Sequence, residues 1–284
     1  MRGDRMLANE HTVLMNKLIG TCYKTKSWSS FLADCGYKLQ VIEQPMRTKS
    51  GDLIEPDVIV ASSKERHALV FECKGGKNIS TDQKKRYKNL DTRTLGMWIT
   101  VKPSLNKHTM SYAVTGEWAP RIGKHTSFPL LVFGKNNISK RGDLGSDCLN
   151  GILSTPVSLD GMKIPMTHYP YGPNDVTAVI APHIYQGIVH LVRINEASAD
   201  IAGDEMVDRI FRINHTHHTT LSKDTTRQIK ARIIKTIKSQ FLTDKKVNEL
   251  LDKIHSGKGT QTTWRSLLTA CKKNVERESG QTRL

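Results

Sequence analysis

The stretch EPDVIVASSKERHALVFECK, residues 55–74, holds two short apolar runs that each carry charge at one end. The first run follows Pro56 and is rich in β-branched residues, and the charged turn SKER separates it from the second, so both runs are typical of strands joined in a hairpin. Asp57 begins the first strand, while Glu72 and Lys74 end the second. Because residues two apart share a face, we expect these charges to converge at one edge of a sheet.

Two carboxylates placed close together repel each other unless a cation lies between them. Hard oxygen ligands favour Mg²⁺ or Mn²⁺, and a lysine beside such an ion orients an attacking water and offsets charge that builds on a phosphate. Two structural alternatives exist for the same residues: an edge strand protected by the charges of Glu72 and Lys74, and a turn acid at Asp57. The joint occurrence of Asp57, Glu72 and Lys74 nevertheless favours a metal site for phosphodiester chemistry.

The surrounding sequence predicts elements in the order α-β-β-β-α-β. Apolar residues at helical spacing indicate the first helix, and apolar or alternating runs indicate the strands. A Ser or Thr at the start of the second helix is a typical N-cap. The predicted segments are a helix at 5–19, strands at 37–43, 55–62 and 67–74, a helix at 80–90, and strands at 95–101 and 128–134.

The second half of the chain gives weaker signals. Residues 139–175 are rich in Gly, Pro, Ser and Asp and predict an irregular connection, whereas 177–195 is interpreted as strand pairs. Helices are expected near 203–213, 222–242, 244–255 and 261–276. We therefore predict three parts: a nuclease-like core at 1–138, a connection with returning strands at 139–203, and a basic helical region at 204–284.

The motif PD, fourteen intervening residues and ECK, within this order of elements, resembles the PD-(D/E)XK nuclease superfamily. The resemblance covers roughly residues 5–135 and implies an α/β, restriction-endonuclease-like core followed by a mainly helical C-terminal region. It also implies that Asp57, Glu72 and the backbone of Cys73 hold Mg²⁺ or Mn²⁺, and that Lys74 assists the attacking water.

Two helical pairs extend the resemblance. Gln83 and Tyr87 lie four apart, hence on one helical face, and resemble the Q-x3-Y element of RecB-like members. Glu10 and His11 match the acidic or histidine ligand that many members supply from the first helix, and Glu10 is the metal ligand predicted here. The alternative for each pair is an ordinary helix face.

Charge points to a polyanionic partner. Lys and Arg outnumber Asp and Glu by 43 to 27, which gives a net charge of +16. The predicted core and the C-terminal region carry the excess, although a basic surface that serves solubility is the alternative. DNA is the predicted partner, with RNA left open. The predicted nucleic-acid contacts are Lys77, Lys84, Lys85, Tyr87, and, on an amphipathic basic helix at 227–242, Arg232 and Lys235.

Cysteines and hydropathy bear on location. The five cysteines are scattered, odd in number and free of any CxxC pair, so neither a disulfide framework nor a cysteine metal site is expected, and a reducing cytoplasm is predicted. His215, His217 and His218 lack the second ligand cluster that a zinc site requires. No segment approaches the length of a membrane span, which excludes a membrane partner.

These inferences combine into a metal-dependent deoxyribonuclease, with a role in antiviral defence preferred over repair or recombination. Catalytic roles are expected for Asp57, Glu72, Lys74 and Gln83. Two other functions stay open: a non-catalytic nucleic-acid-binding or assembly protein on a nuclease-like fold, and a transposase-type end-cleaving subunit that needs a partner. A homodimer and a place in a larger complex are both compatible with the sequence.

Overall fold

The chain forms a seven-stranded mixed sheet with helices and, separately, a helical region. The structure is a computed structural model that describes residues 9–76, 79–99, 101, 104–194, 196 and 200–279. Residues 10–168 and 219–222 form one unit, here called the sheet unit. Within the described part, the remaining residues, chiefly 169–218 and 223–279, form the helical unit. The domain boundaries predicted after 138 and 203 fall inside these two units.

The sheet unit alternates short helices with strands. Its helices are α1 Glu10–Gly20, α2 Phe31–Asp34, α3 Thr81–Lys88, α4 Thr92–Trp98, α5 Ala119–His125 and α6 Asp147–Ile152. Its strands are β1 Tyr37–Ile42, β2 Met46–Arg47, β3 Leu53–Ile54, β4 Val58–Ser62, β5 His67–Lys74, β6 Lys107–Thr115, β7 Leu130–Phe133, β8 Asn137–Arg141 and β9 Val157–Ser158. The hairpin predicted from the opening stretch is confirmed as β4 and β5, and the strand predicted at 128–134 as β7.

Strand pairing fixes where the charged residues lie. The sheet runs β1-β4-β5-β6-β7-β8-β9, and β2 and β3 form a separate pair. The β5–β6 and β6–β7 pairs are parallel and the others are antiparallel. Ile42 pairs with Val58, and Val58 pairs with Phe71. This register brings Glu43, which follows β1, and Asp57, which precedes β4, to the same edge of the sheet as the end of β5.

Helices α3 and α4 cover one face of this sheet. Each helix has an N-cap. The Ser80 side chain accepts a hydrogen bond from the backbone N–H of Gln83, and the Asp91 side chain accepts one from the backbone N–H of Thr94. Their apolar residues pack with side chains of the sheet in one buried cluster. It contains Tyr87, Leu90, Leu95 and Ile99 from the helical segments and Ile59, Ala61, Ala68, Val70 and Met110 from the strands. The cluster ties both helices to the strands that carry the candidate site.

Helix α4 corrects one sequence prediction. Residues 95–101 were expected to form a strand, but 92–98 are helical because Asp91 caps the segment. Its buried apolar residues, Leu95 and Ile99, lie four apart, while Met97 and Trp98 are exposed. The period is that of a helix, and the apolar composition concealed it.

The helical unit contains α7 Thr177–Arg193, α8 Asp204–Asn214, α9 Lys223–Thr236, a π-helical turn Ile237–Phe241, α10 Lys245–His255 and α11 Gln261–Ser279. The four helices predicted after residue 203 are confirmed. The strand pairs predicted at 177–195 are wrong, because α7 buries Ile180, Ile184, Ile188 and Leu191 at helical spacing. Among the described residues, no helix is long and apolar enough to cross a membrane.

A disulfide joins Cys35 and Cys148, which are separated by 113 residues in the sequence. The expectation that the cysteines form no disulfide is therefore wrong, because pairing depends on the fold rather than on spacing along the chain. The other three cysteines are free and buried. Disulfides persist mainly in oxidising surroundings, so the cysteine argument for a reducing compartment loses its basis.

Candidate metal centre

Asp57 occupies the centre of the charged edge. Its side chain is mostly buried, and Oδ2 accepts a hydrogen bond of 2.5 Å from the backbone N–H of Cys73. Oδ1 lies 3.2 Å from Nε2 of His11. One oxygen is thus fixed by the neighbouring strand, and the other faces the first helix.

His11 reaches this edge because α1 begins very close to the end of β5. A Cβ atom at Gly75 would lie only 2.9 Å from Cβ of Glu10 and 3.1 Å from the backbone nitrogen of His11. Burial alone would lower the pKa of His11, but the hydrogen bond to Asp57 and the charges of Asp57, Glu43 and Glu72 raise it to about 9. The raised pKa of His11 thus reflects the negative charge that Asp57, Glu43 and Glu72 place around it.

Glu43 is a member of this edge that the sequence prediction missed. It directly follows β1, and its backbone N–H donates to the Asp57 carbonyl at 2.9 Å. Its φ of 48° is unusual for a residue other than glycine. An acid just after one strand, in register with an acid just before the next, was the available signal, but it required knowing that β1 pairs with β4.

Ligand atoms of His11, Glu43 and Asp57 all lie within 4.8 Å of one another. Ligands about 2.1 Å from a shared ion are separated from each other by about 3–4 Å, so modest closure of this group would suit an octahedral cation. Two carboxylates with one imidazole suit Mn²⁺ at least as well as Mg²⁺. Among the described residues, this trio includes His11 but not the predicted ligand Glu10, whose residue is exposed on α1.

Glu72 is held by three donors. Lys74 Nζ and Gln83 Nε2 donate to Oε1 at 2.8 and 2.7 Å, and the Tyr87 hydroxyl donates to Oε2 at 2.6 Å. Burial and the charge of Asp57 raise the pKa of Glu72, whereas Lys74 opposes the rise. These bonds occupy three of its roughly four lone-pair sites, which leaves capacity for one further contact.

Lys74 is positioned from two sides. Besides Glu72, its ammonium group donates to Oε1 of Gln83 at 3.0 Å. Gln83 and Tyr87 share the face of α3 that turns toward Glu72, as their spacing predicted. The helix thus fixes both the carboxylate and the lysine at the end of β5.

Tyr112 is a second residue that the sequence prediction missed. It pairs in register with Glu72 on the adjacent strand β6 and is fully buried. Among the described residues, its hydroxyl has no hydrogen-bond partner, and burial together with the charge of Glu72 raises its pKa to about 12. The buried hydroxyl is therefore protonated at neutral pH, and its O–H has no acceptor among the described residues.

The predicted nucleic-acid contacts are dispersed. Lys77 lies outside the described residues, Lys85 is exposed, and Nζ of Lys84 donates to the His125 carbonyl at 2.9 Å. Tyr87 differs from its prediction as a nucleic-acid contact, because its ring is buried and its hydroxyl serves Glu72.

Two further predicted contacts, Arg232 and Lys235, lie on α9 in the helical unit. Nη2 of Arg232 donates to the Asp175 carbonyl at 2.6 Å, and Lys235 is exposed. On the same helix, Ile229 and Ile233 are buried as the amphipathic pattern predicted. The Arg232 side chain is therefore hydrogen-bonded within the helical unit, whereas the Lys235 side chain is exposed to solvent.

Comparisons with known proteins concern mainly the sheet unit. A family model, the MJECL32 domain, matches residues 10–113, a range that contains every side chain of the metal centre. The MJECL32 protein of Methanocaldococcus jannaschii is 31% identical over an alignment of 121 positions, and the match covers 37% of this chain and 27% of that protein. This chain therefore spans only about a quarter of the length of its curated relative.

A solved structure of the DrdV–DNA complex is a weak structural match. It is 13% identical, covers 90% of this chain and 24% of the DrdV chain, and has a TM-score of 0.20. A similarity at this level carries no argument about fold or activity. The comparisons thus relate residues 10–113 of this chain to the MJECL32 domain.

Proposed function

We propose that this chain is a metal-dependent nuclease that hydrolyses phosphodiester bonds in DNA with Mg²⁺ or Mn²⁺. The observation that carries the proposal is the convergence of three carboxylates, one histidine and one lysine at a single sheet edge: Glu43, Asp57, Glu72, His11 and Lys74. The order of the main elements, α1, β1, β4, β5, α3 and β6, supports a restriction-endonuclease-like core, as the sequence resemblance implies.

The residues divide into two groups with different proposed roles. His11, Glu43 and Asp57 would hold the ion, with Glu72 as a further ligand through its remaining lone pair. A bound divalent ion would lower the pKa of a water and neutralise charge on the phosphate. Lys74, held by Glu72 and Gln83, would orient the water and stabilise the charge that develops at the phosphorus centre.

The charge distribution supports a nucleic-acid substrate and a binding role for the C-terminal region. Residues 204–284 carry 17 basic and 9 acidic residues. We propose that this part holds DNA or a partner protein, in a system for defence against foreign DNA or for DNA processing. The positive charge would act mainly through phosphates and would not by itself select a sequence.

The proposal is tested by incubating the purified chain with circular and linear DNA, single- and double-stranded, in Mg²⁺, Mn²⁺ or EDTA. Cleavage is expected with either metal and not with EDTA, and cutting of circles would identify an endonuclease. Asp57→Ala should abolish cleavage with DNA affinity changed less than about twofold, because affinity comes from distributed basic residues.

Glu117→Ala is the matched control, since Glu117 is an exposed acid outside the charged edge. Equal cleavage by Asp57→Ala and the control would overturn the assignment of the site. An inactive wild-type chain that cuts only after a partner is added would favour the end-cleaving subunit instead. Metal binding without cleavage under every condition would favour a binding or assembly protein.

A further inference from the structure

The end of helix α4 exposes two large apolar side chains next to each other. Met97 is 70% exposed and Trp98 is 43% exposed. Gly96 precedes them, and a Cβ atom placed there would meet nothing within 4 Å. Adjacent exposed apolar residues of this size are a common sign of a binding surface.

Basic residues surround this apolar tip. Residues 81–98 contain five Lys or Arg and two Asp. One of the acids, Asp91, is bonded to the amide and the hydroxyl of Thr94 as a helix cap. Lys85 and Lys88 are exposed on α3, and Arg93 precedes Met97 by one turn of α4, so that cation and thioether share a face.

An open pocket borders the same tip. Its volume is about 460 Å³, and Arg93 and Met97 form part of its wall. Ile99 and Leu105 supply apolar surface, whereas Asn106 supplies a polar group. A flat apolar ring with polar edges, joined to an anionic chain, matches this combination of surfaces.

The tip is connected to the candidate metal centre through the packed helices. Leu95 of α4 and Tyr87 of α3 belong to the same buried cluster, and Tyr87 donates to Glu72. Arg86 of α3 also donates to the Leu53 carbonyl at 2.9 Å, which holds α3 against β3. A ligand strand that follows the basic face of α3 is therefore placed relative to the catalytic residues by rigid elements.

We propose that Trp98 and Met97 contact an unstacked base of DNA whose phosphates lie along α3 and α4. This inference rests on the proposed function and narrows the substrate to DNA with a single-stranded segment, an end or a distorted step. Aromatic side chains stack on any exposed base, whereas bases inside a regular duplex are covered. The surrounding cations favour nucleic acid over a protein partner, since charged residues are depleted at the core of protein interfaces.

The test measures binding in EDTA, so that cleavage does not contribute. Fluorescence polarisation compares a short oligothymidine with a blunt duplex of equal length, for the full chain and its variants. Trp98→Ala should weaken binding of the single strand roughly tenfold, the order expected for one lost stacking contact, and duplex binding by less than about twofold. Trp98→Phe should retain most single-strand affinity, because it keeps an aromatic face.

Met97→Glu is the second variant, chosen because so exposed a residue tolerates substitution without loss of the fold. Its added negative charge should also weaken single-strand binding. Ile152→Ala is the control, an exposed apolar residue 36% accessible on α6. Wild-type affinity in Met97→Glu and Trp98→Ala, or an equal loss for both kinds of DNA, would overturn the inference.

Failure of this inference is distinguishable from failure of the proposed function. If the wild-type chain cleaves no DNA with either metal while Trp98→Ala loses single-strand affinity, the nuclease proposal fails and the base contact stands. If Asp57→Ala cleaves as well as wild type, only the assignment of the site fails. If Asp57→Ala is inactive while both tip variants bind like wild type, the nuclease assignment stands and the base contact fails.

Discussion

Strand β5 connects two buried polar networks of opposite character. At its start, His67 is fully buried, with Nδ1 2.6 Å from the Tyr37 hydroxyl and Nε2 3.0 Å from the Thr109 hydroxyl. At its end, Glu72 is equally well bonded but lies among other acids. The first network is composed mainly of neutral groups and lies beside a disulfide, whereas the second concentrates like charge.

The two networks differ in net charge, and this difference shows which of them is the better candidate for binding a cation. Burial, with smaller contributions from Lys107 and His108, lowers the pKa of His67 to about 4, so the imidazole is neutral at neutral pH. In contrast, Asp57 and Glu43 help to raise the pKa of His11, and Asp57 helps to raise that of Glu72. Both networks are well hydrogen-bonded, so it is the excess charge of one sign that marks the second network as the candidate site.

The largest expected effect on stability concerns the neutral end of the strand. Cys35 precedes β1, and Cys148 lies on α6 close to Ser146, which donates to Glu65 at 2.9 Å. Cys35→Ser should lower the free energy of unfolding by about 4 kcal/mol, because the bond closes a loop of more than a hundred residues. Denaturant unfolding with and without reductant measures this effect. Reductant should not affect the variant, and cleavage at low temperature should persist; an equal response of variant and wild type to reductant would contradict the bond.

At the charged end, Lys74→Ala should reduce cleavage by about 10²–10³-fold while Mn²⁺ binding persists. In the proposed function the lysine acts on the water and the phosphate, and other residues would hold the ion. A cleavage time course beside a calorimetric Mn²⁺ titration separates these roles, with Lys64→Ala, in the exposed turn before β5, as the control. Cleavage at the wild-type rate, or loss of Mn²⁺ binding, would show that Lys74 has another role. Cys73→Ser should retain most activity, because the contact of Cys73 with Asp57 is made by its backbone N–H and not by its side chain.

The neutral end should also make stability depend on pH. Because the pKa of His67 falls from 6.5 in the unfolded chain to about 4 in the fold, the unfolded chain takes up its proton first as the solution is acidified. The contribution is present above pH 6.5 and is lost as pH falls toward 4, by about 3 kcal/mol in total. Unfolding of His67→Gln over this range should give a flatter profile than wild type. Parallel profiles would mean that the pKa of His67 is the same in the folded and the unfolded chain.

The smallest expected effect concerns Glu43, which the sequence did not predict as a metal ligand. At a Mn²⁺ concentration 100 times its dissociation constant, binding should stabilise the wild-type chain by about 2.7 kcal/mol. If Glu43→Gln weakens the site 10–100-fold, this stabilisation should fall by about 1–2 kcal/mol. Thermal unfolding with Mn²⁺ and with EDTA measures it, and Glu117→Gln is the control. An undiminished shift in Glu43→Gln would remove Glu43 from the ligand set.

The residues that were predictable share a local signal. Asp57, Glu72 and Lys74 stand at strand ends within one hairpin, and Gln83 and Tyr87 lie one helical turn apart, so short-range periodicity was sufficient to bring each set together. Whether these residues perform the proposed chemistry stays a prediction.

The residues that were missed depend on pairing between distant segments. Glu43 joins Asp57 only through the register of β1 on β4, Tyr112 joins Glu72 through a parallel pair, and Cys35 joins Cys148 across most of the sheet unit. Helix α4 was missed for a different reason, since β-prone composition outweighed the cap at Asp91. Composition and local spacing carry no information about such long-range partners.

The bond between Cys35 and Cys148 also makes most of the proposed centre part of a closed covalent ring. Glu43, Asp57, Glu72 and Lys74 lie between the two cysteines in the sequence, whereas His11 lies on the tail outside. A single proteolytic cut anywhere between residues 35 and 148 would open the ring without releasing a fragment. The nicked chain would migrate as one species until reductant is added, and its pieces would remain tethered long enough for the strands to stay paired.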